Sequence, residues 1–233
     1  MNRAVVIYSG GLDSTVLLTQ CTQEYDEVVA LNFNYGSKHN LRERASARIV
    51  CKKLGVTFVE IELPFINKLF KSDLLQSGGN IPEGHYEAES MKSTVVPFRN
   101  GIMLSIAAGY AESIGANQLL LATHAGDHAI YPDTKPEFNL PMCSAIWLGT
   151  DGKVVLDVPF SHMTKADIVK KGIEIGAPLE LSWSCYKGGD RPCLRCGTDM
   201  ERTEAFLLNN VKDPALSDEE WDKAVRIISK KKD

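Results

Sequence analysis

Three features are missing from this sequence of 233 residues, and each absence argues against a class of protein. No apolar run approaches the roughly eighteen residues that a membrane-spanning helix needs, so no membrane association is expected. Excess positive charge is also missing, because 26 Lys and Arg residues stand against 30 Asp and Glu, a formal net charge of -4. That balance argues against a protein whose main task is to grip a nucleic-acid backbone. We therefore expect small-molecule chemistry, with no stable nucleic-acid partner.

A regular cysteine framework is the third missing feature. The first strand is expected to begin by about residue 4, which leaves no room for a signal peptide, so we expect a cytoplasmic protein. In that compartment the six cysteines are not expected to form disulfides. Three of them lie between positions 185 and 196, and this uneven spacing indicates metal binding.

The apolar pattern predicts an α/β fold, a Rossmann-like parallel β-sheet flanked by helices. Strand-like runs, most of them apolar throughout, are expected at residues 3–8, 28–33, 56–61, 118–123 and 154–158. Helical patterns lie between and after them, at residues 14–24, 39–54, 101–114, 165–175, a stretch after 199, and 217–230. Thr164 and Ser217 each precede a carboxylate by three residues and are expected to cap helices in capping boxes. Residues 74–94 show no sustained period and are expected to form a long loop.

A glycine-bearing turn joins the first apolar strand to the first helix. It reads Tyr-Ser-Gly-Gly-Leu-Asp-Ser at residues 8–14. Two adjacent glycines let the backbone approach an anion, and the helix N-terminus adds free N–H groups and a positive dipole end. Neither the Gly-Lys-Ser/Thr of a Walker A loop nor the G-x-G-x-x-G of a dinucleotide site is present. What remains is similar to the Ser-Gly-Gly-x-Asp-Ser signature of the ATP pyrophosphatases, although an ordinary strand-turn-helix corner is the alternative. The expected ATP-binding residues are Tyr8, Ser9, Gly10, Gly11, Leu12, Asp13, Ser14, Thr15, Val16, Leu17 and Leu18.

The cysteine-rich segment carries thiols at Cys185, Cys193 and Cys196. The Cys-x-x-Cys pair is a zinc-knuckle spacing and Cys185 can supply a third sulfur, but a closed zinc site needs four ligands. The next position in register holds Asp199, which can either supply an oxygen ligand or cap a helix that begins at Met200.

With both motifs, the chain resembles the QueC family, the 7-cyano-7-deazaguanine synthases of queuosine biosynthesis in the PP-loop superfamily. The resemblance runs nearly from end to end, through residues 9–14, 34–36, 96–100, 126–127, 131–133, 164–167, 185–186, 201–202 and 205–206. It implies an adenine nucleotide alpha hydrolase-like domain at residues 1–180. A zinc-binding loop and C-terminal helices at residues 181–233 would then pack on the same domain. The family pattern has a fourth cysteine where this sequence has Asp199.

The resemblance also implies a reaction. ATP would drive the conversion of 7-carboxy-7-deazaguanine and ammonia to 7-cyano-7-deazaguanine, with release of AMP and pyrophosphate and with magnesium and zinc as cofactors. The alternatives are adenylation of another acceptor, a product that stops at the 7-amido-7-deazaguanine amide, or a nucleotide-binding module without turnover. Like many compact enzymes, the chain is expected to form a homodimer.

Two residues are assigned catalytic roles. Asp13 is the carboxylate nearest the phosphates and is expected to position magnesium or the loop, with helix capping as the alternative. Arg99 precedes a long helix and is expected to bind phosphate or the substrate carboxylate, although an exposed arginine is the alternative.

Arg99 also belongs to a predicted substrate-binding set with Asn100, Asp127, Tyr131, Asp133 and Lys165. Tyr131 offers stacking area for a purine-like ring, and Asp127 and Asp133 offer acceptors for its edge. Each of three residues also has an alternative role. Asp133 can instead cap the next helix, and Asp127 can instead form a metal site with His124 and His128. Lys165 can instead be a solvated surface side chain.

Overall fold

A five-stranded parallel sheet forms the centre of the protein, whose computed structural model describes residues 2–230. The strands are β1 (Arg3–Ile7), β2 (Glu27–Asn34), β3 (Thr57–Glu62), β4 (Gln118–Leu120) and β5 (Val155–Asp157). Their spatial order is β3-β2-β1-β4-β5, and every neighbouring pair is parallel. The predicted Rossmann-like parallel sheet is therefore confirmed.

Eight α-helices accompany the sheet in the described part of the chain. They are α1 (Leu12–Glu24), α2 (Asn40–Leu54), α3 (Pro64–Leu69), α4 (Arg99–Ser113), α5 (Pro136–Gly149), α6 (Lys165–Glu174), α7 (Gly197–Leu208) and α8 (Asp218–Ser229). Short 3-10 turns lie at Glu89–Thr94, Ala125–Ala129, Pro132–Thr134 and Leu179–Leu181.

The central strand explains why both faces of the sheet are covered. In β1, Val5 packs with α4 residues such as Leu104, whereas its neighbour Val6 packs on the opposite face with Leu17 of α1 and Ile168 of α6. Side chains alternate between the two faces of a strand, so an unbroken apolar run must be buried on both. The run from Ala4 to Tyr8 is almost free of solvent contact.

Two helical segments were not predicted from the sequence. Residues 74–94, expected to be a loop, include the 3-10 turn Glu89–Thr94. The residues after the fourth strand, to which no element was assigned, include α5. The sequence of α5 lacks a polar face and contains Pro136 and Pro141, so its pattern does not resemble an amphipathic helix. Its exposed face keeps large apolar side chains, among them Leu140 and Leu148.

Both predicted capping boxes are confirmed. The Thr164 hydroxyl accepts from the backbone N–H of Asp167 at the start of α6, and the Ser217 hydroxyl accepts from that of Glu220 at the start of α8. The cap of α6 fixes where that helix begins, and therefore where Lys165, its first residue, points.

The division of the chain near residue 180 stays a prediction. None of the helices in the described residues has the length and apolar character needed to cross a membrane.

Candidate active site and metal centre

The loop between β1 and α1 holds two glycines in a confined space. Gly10 has a φ of +95°, and a Cβ added there would lie 2.2 Å from the backbone oxygen of Glu43 on α2. Only glycine avoids both the left-handed strain and this collision. Gly11 is the N-cap residue of α1, and the Ser9 hydroxyl accepts from its N–H and contacts the Ser14 hydroxyl at 3.0 Å. The resulting turn presents backbone N–H groups and hydroxyls at a helix N-terminus, an arrangement suited to phosphate.

Apart from Gly10, which packs against α2, the expected ATP-binding residues divide into two groups. Those lining the main cavity are Tyr8, Ser9, Gly11, Leu12, Asp13 and Ser14. Thr15, Val16, Leu17 and Leu18 are buried behind the loop, where the Thr15 hydroxyl contacts the Tyr8 hydroxyl at 3.1 Å. The second group packs against the turn on its buried side.

Arg99, the first residue of α4, lines the same cavity as this loop. Its guanidinium donates to the Tyr35 hydroxyl at 3.1 Å and lies 5.6 Å from the centre of the Tyr35 ring. Within residues 2–230, no carboxylate forms an ion pair with Arg99. The partly buried side chain therefore places at the cavity wall a positive charge that Asp133 offsets only from a distance, without a direct ion pair.

Asn100 and Asp133 are joined to each other. The Asp133 carboxylate accepts from the backbone N–H of Asn100 at 2.7 Å, and the Asn100 side chain donates to the Asp133 carbonyl at 3.2 Å. Asp133 thus caps α4, which precedes it, rather than the following helix. Asn100 lines the cavity, whereas Asp133 lies behind it.

Asp127 is held by two donors in the 3-10 turn after β4. One carboxylate oxygen accepts from the Tyr86 hydroxyl at 2.7 Å, and the other accepts from the backbone N–H of His124 at 3.0 Å. Burial alone would raise the pKa of Asp127, but nearby His124 and Lys165 and the bond from Tyr86 bring it below its usual value. The group therefore faces the cavity as a carboxylate.

The side chain of Lys165 is only 13% exposed and is ion-paired, so its interpretation as a solvated surface side chain is wrong. Its ammonium lies 2.5 Å from an Asp13 oxygen and 3.4 Å from a Glu201 oxygen. Burial lowers the pKa of Lys165, but Asp13, Glu201 and Asp127 outweigh that effect and raise it overall. Asp13 is the second residue of α1 and not its cap, so the capping alternative is also wrong.

His124 adjoins the same charged group. Its Nδ1 accepts from the N–H of Gly126 at 3.1 Å, which leaves the proton of the neutral ring on Nε2. That atom lies 3.5 Å from Asp127, 3.8 Å from Glu201 and 3.9 Å from Asp13. A metal site built from His124, Asp127 and His128 is absent from the described residues, where the one group with metal-ligand geometry is elsewhere.

Three of the five tyrosines that line the cavity, Tyr86, Tyr131 and Tyr186, lie together and form one aromatic wall. Tyr131, predicted from the sequence, contacts the hydroxyls of Thr94 at 3.0 Å and Tyr186 at 3.2 Å. Tyr186 stacks on His39 with ring centres 5.1 Å apart. With Tyr86 they give the cavity stacking surface and hydroxyl groups together.

The metal-type group consists of Cys185, Cys193, Cys196 and Asp199, whose ligand atoms all lie within 4.8 Å of one another. The Cys185 and Cys196 sulfurs are 4.0 Å apart, close to the roughly 3.8 Å edge of a tetrahedron with zinc–sulfur bonds of about 2.3 Å. Three sulfurs and one oxygen at this spacing fit a single zinc ion. All six cysteines are free.

Asp199 lies in the first turn of α7, which begins at Gly197, so it does not cap a helix starting at Met200. One of its oxygens accepts from the backbone N–H of Leu194 at 2.9 Å. Burial, with a contribution from Cys193, raises the pKa of Asp199 to about 7. A buried carboxylate beside three thiols is unfavourable without a cation to offset its charge.

Four residues in or beside the cavity were given no role from the sequence, although the family resemblance runs through three of them, Tyr35, Tyr186 and Glu201. Glu201 lies on α7, far along the chain from the phosphate loop it adjoins through Lys165. Tyr86 and Tyr186 lie in irregular segments, and Tyr35 follows β2. Apart from the resemblance, the one available signal was that polar residues following parallel strands converge at the same edge of the sheet, which applies to Tyr35 alone.

Comparisons with known proteins agree with this geometry. The family described as "Queuosine biosynthesis protein QueC" matches residues 3–210. A 7-cyano-7-deazaguanine synthase of Desulfotalea psychrophila is 51% identical over 203 residues, covering 87% of this chain and 93% of that protein. One from Archaeoglobus fulgidus is 48% identical over 226 residues, covering 97% and 94%.

A solved structure shares the fold. The U34-tRNA thiolase NcsA from Methanococcus maripaludis, described with its [4Fe-4S] cluster, has a TM-score of 0.50 at 11% identity, covering 90% of this chain and 66% of that one. At such low identity the likeness concerns the fold alone.

Substitution of Gly10 by alanine is expected to abolish nucleotide binding. The new Cβ must move the Glu43 carbonyl or the loop, so affinity for ATP should fall by at least about 100-fold in calorimetric titration. Gly55→Ala is the matched control, because Gly55 also has positive φ but has no atom within 4 Å of its added Cβ. It should lose about 1 kcal/mol of stability and bind ATP normally. Normal ATP affinity in Gly10→Ala would contradict the assignment of this loop.

Proposed function

The chain belongs to the QueC family of queuosine biosynthesis, and from this premise we propose that it is an ATP-dependent 7-cyano-7-deazaguanine synthase. The substrates are 7-carboxy-7-deazaguanine, ammonia and ATP, and the products are 7-cyano-7-deazaguanine, AMP and pyrophosphate. The relatives are named for the nitrile, so the alternatives of an amide product or another acceptor are not favoured.

The main support for the proposed substrate is that Arg99 has no carboxylate ion-pair partner in the described residues. A guanidinium without a carboxylate partner, in a cavity walled by tyrosines, fits an aromatic ring that bears a carboxylate. The phosphate loop lines the same cavity, so a carboxylate held at Arg99 would share that cavity with the α-phosphate of ATP.

The chemistry requires activation of that carboxylate. It is a poor electrophile because oxide would have to leave, so one of its oxygens first attacks the α-phosphorus of ATP and pyrophosphate departs. Ammonia then attacks the carbonyl carbon of the acyl adenylate, loses a proton, and AMP departs with the oxygen that formed the link. The product of this first half is the amide.

The nitrile requires a second activation. The amide oxygen attacks the α-phosphorus of another ATP, and pyrophosphate again departs. Loss of the two amide protons and departure of AMP with the oxygen leave a carbon–nitrogen triple bond. Both halves use the same stabilisation of phosphate charge by the fixed N–H groups at residues 9–14.

Magnesium fits the phosphate end of the cavity. The Asp13 Oδ1 is buried there without a hydrogen-bond partner in the described residues, the Glu201 Oε2 has only the Lys165 ammonium at 3.4 Å beside it, and carboxylates are ligands that magnesium prefers. We propose that Asp13, with Glu201 beside it, holds magnesium, which would neutralise phosphate charge. Lys165, now paired with both carboxylates, is assigned to phosphate, while Asn100, Asp127 and Tyr131 are assigned to the deazaguanine.

Zinc is proposed at Cys185, Cys193, Cys196 and Asp199, where the donor set fits. When bound there it would supply a structural cross-link between the loop and the start of α7 and would take no part in the reaction.

A homodimer and a cytoplasmic location stay predictions. In support of the dimer, α5 exposes Leu140, Ser144 and Leu148 at four-residue spacing, an uncharged face that a second copy would cover.

Purified protein with magnesium, ATP, ammonia and 7-carboxy-7-deazaguanine is expected to release AMP and accumulate the nitrile, measured by chromatography and mass spectrometry. Arg99→Met should raise KM for the carboxylate by about 10-fold to 100-fold, because a charge-assisted pair of about 1.5–3 kcal/mol is lost. Its KM for ATP should stay unchanged. Arg48→Met, on the exposed face of α2, is the control and should match the parent.

Accumulation of amide alone would contradict the nitrile assignment. A KM for the carboxylate that stays unchanged in Arg99→Met would remove Arg99 from the substrate site.

The protein is expected to contain one zinc ion per chain, measured by elemental analysis of zinc and iron together. Asp199→Ala should weaken zinc binding by about tenfold or more, because an oxygen ligand is lost, whereas Asp199→Cys should retain it. Cys143→Ser is the control, since Cys143 lies outside the cluster. Unchanged zinc affinity in Asp199→Ala would exclude Asp199 as a ligand, and iron in place of zinc would overturn the metal assignment.

A further inference from the structure

Two of the three tyrosines in the cavity wall lie on segments without helix or strand to hold them. Tyr86 lies within residues 70–88 and Tyr186 within residues 182–195, both irregular in the described chain. Irregular segments of this length lose substantial conformational entropy when ordered, so their positions must be fixed by specific contacts. The Tyr86 hydroxyl is held by Asp127, and the backbone segments that carry both tyrosines contact the cysteine loop.

Tyr186 is fixed directly, since it follows Cys185 in the chain. Cys185 is fully buried, and its carbonyl accepts from the Trp183 indole at 2.8 Å. The Tyr186 ring stacks on His39, and its hydroxyl reaches Tyr131 at 3.2 Å. The backbone of Tyr186 is therefore held by the neighbouring Cys185, and its hydroxyl contacts the rest of the cavity wall.

Tyr86 is fixed through the other end of the same loop. Glu83 forms an antiparallel bridge with Cys196, and the N–H of Gly84 donates to the Arg195 carbonyl at 3.1 Å. Gly197 adjoins Tyr86 so closely that an added Cβ would lie 3.0 Å from the Tyr86 Cα. The segment carrying Tyr86 thus rests on backbone that the Cys196 sulfur anchors.

The same loop also touches the phosphate loop. The backbone N–H of Trp183 donates to the carbonyl of Gly10 at 3.0 Å. Thr198, at the start of α7, donates its hydroxyl to the Ser184 carbonyl at 2.8 Å. A cross-link among the cysteines would therefore restrain three parts of the cavity at once.

We propose that Tyr86 and Tyr186 are further substrate-binding residues and that the metal held by Cys185, Cys193 and Cys196 sets their positions. The proposal rests on the proposed function for the identity of the substrate. The deazaguanine ring lies against the two tyrosines, which the metal keeps in place by ordering the loops that carry them. Metal and deazaguanine consequently bind with positive cooperativity, and by linkage each must raise the affinity for the other by the same factor.

The first test measures ordering without substrate. Chelator-treated and zinc-loaded protein are digested with chymotrypsin, which cleaves after tyrosine, and the first cuts are located by mass spectrometry. We expect cleavage at Tyr86 and Tyr186 at least about tenfold faster in the chelated protein, with cleavage at other sites unchanged. Equal rates at both tyrosines, with zinc removal verified, would overturn the proposal whether or not the substrate is correct.

The second test measures linkage. Transfer of zinc to a chromogenic chelator is followed with and without saturating 7-carboxy-7-deazaguanine, in the absence of ATP. The apparent zinc affinity is expected to rise about fivefold or more when the ligand is bound. Ligand binding that leaves zinc affinity unchanged would overturn the proposal while leaving the proposed function intact. Failure to bind the ligand at all would overturn the proposed function, and the digestion result would then decide the loop ordering alone.

The third test isolates the tyrosine hydroxyl. Tyr186→Phe keeps the ring but removes the contact with Tyr131, so KM for the deazaguanine should rise about fivefold while KM for ATP stays unchanged. The zinc content should equal that of the parent, because no ligand is altered. Tyr25→Phe, at the end of α1, is the matched control with parental kinetics. Equal changes in both KM values, or none, would contradict a role of Tyr186 in substrate binding.

Discussion

The close approach of Gly10 to α2 is the constraint on which the rest of the site depends. Its φ of +95° and the absence of a side chain let the phosphate loop lie against the Glu43 carbonyl. The Gly10 carbonyl in turn accepts from Trp183, so the loop also meets the cysteine segment. One glycine thus joins the central strand, a flanking helix and the proposed metal site, and the cavity forms where the three meet.

Charged groups of two kinds adjoin this cavity. At the phosphate loop, Lys165 forms ion pairs with both Asp13 and Glu201, so two carboxyl groups adjoin one ammonium group. Arg99 lines the same cavity and forms no ion pair with a carboxylate of the described residues. The first group suits the proposed metal-bound phosphate chain, and Arg99 suits the proposed substrate carboxylate.

The sequence predicted the sheet and the phosphate loop because both depend on local pattern, an apolar strand followed by two glycines. It left a solvated surface side chain as the alternative for Lys165 and gave Glu201 no role, because their ion pair joins α6 to α7 and no spacing along the chain predicts it. Tyr86 and Tyr186 were given no role for the same reason, since irregular segments carry no period. The helix α5 was omitted because it is apolar nearly all round.

ATP is proposed to activate a carboxylate oxygen at this cavity, and the oxygen atoms can be followed directly. 7-Carboxy-7-deazaguanine labelled with oxygen-18 in both carboxylate positions should give AMP that carries one labelled oxygen per molecule, with pyrophosphate unlabelled. Two labelled AMP molecules should form for each nitrile, because each half of the reaction removes one oxygen. Label in pyrophosphate, or unlabelled AMP accompanying nitrile formation, would contradict adenylation of the substrate and with it the account given for this site.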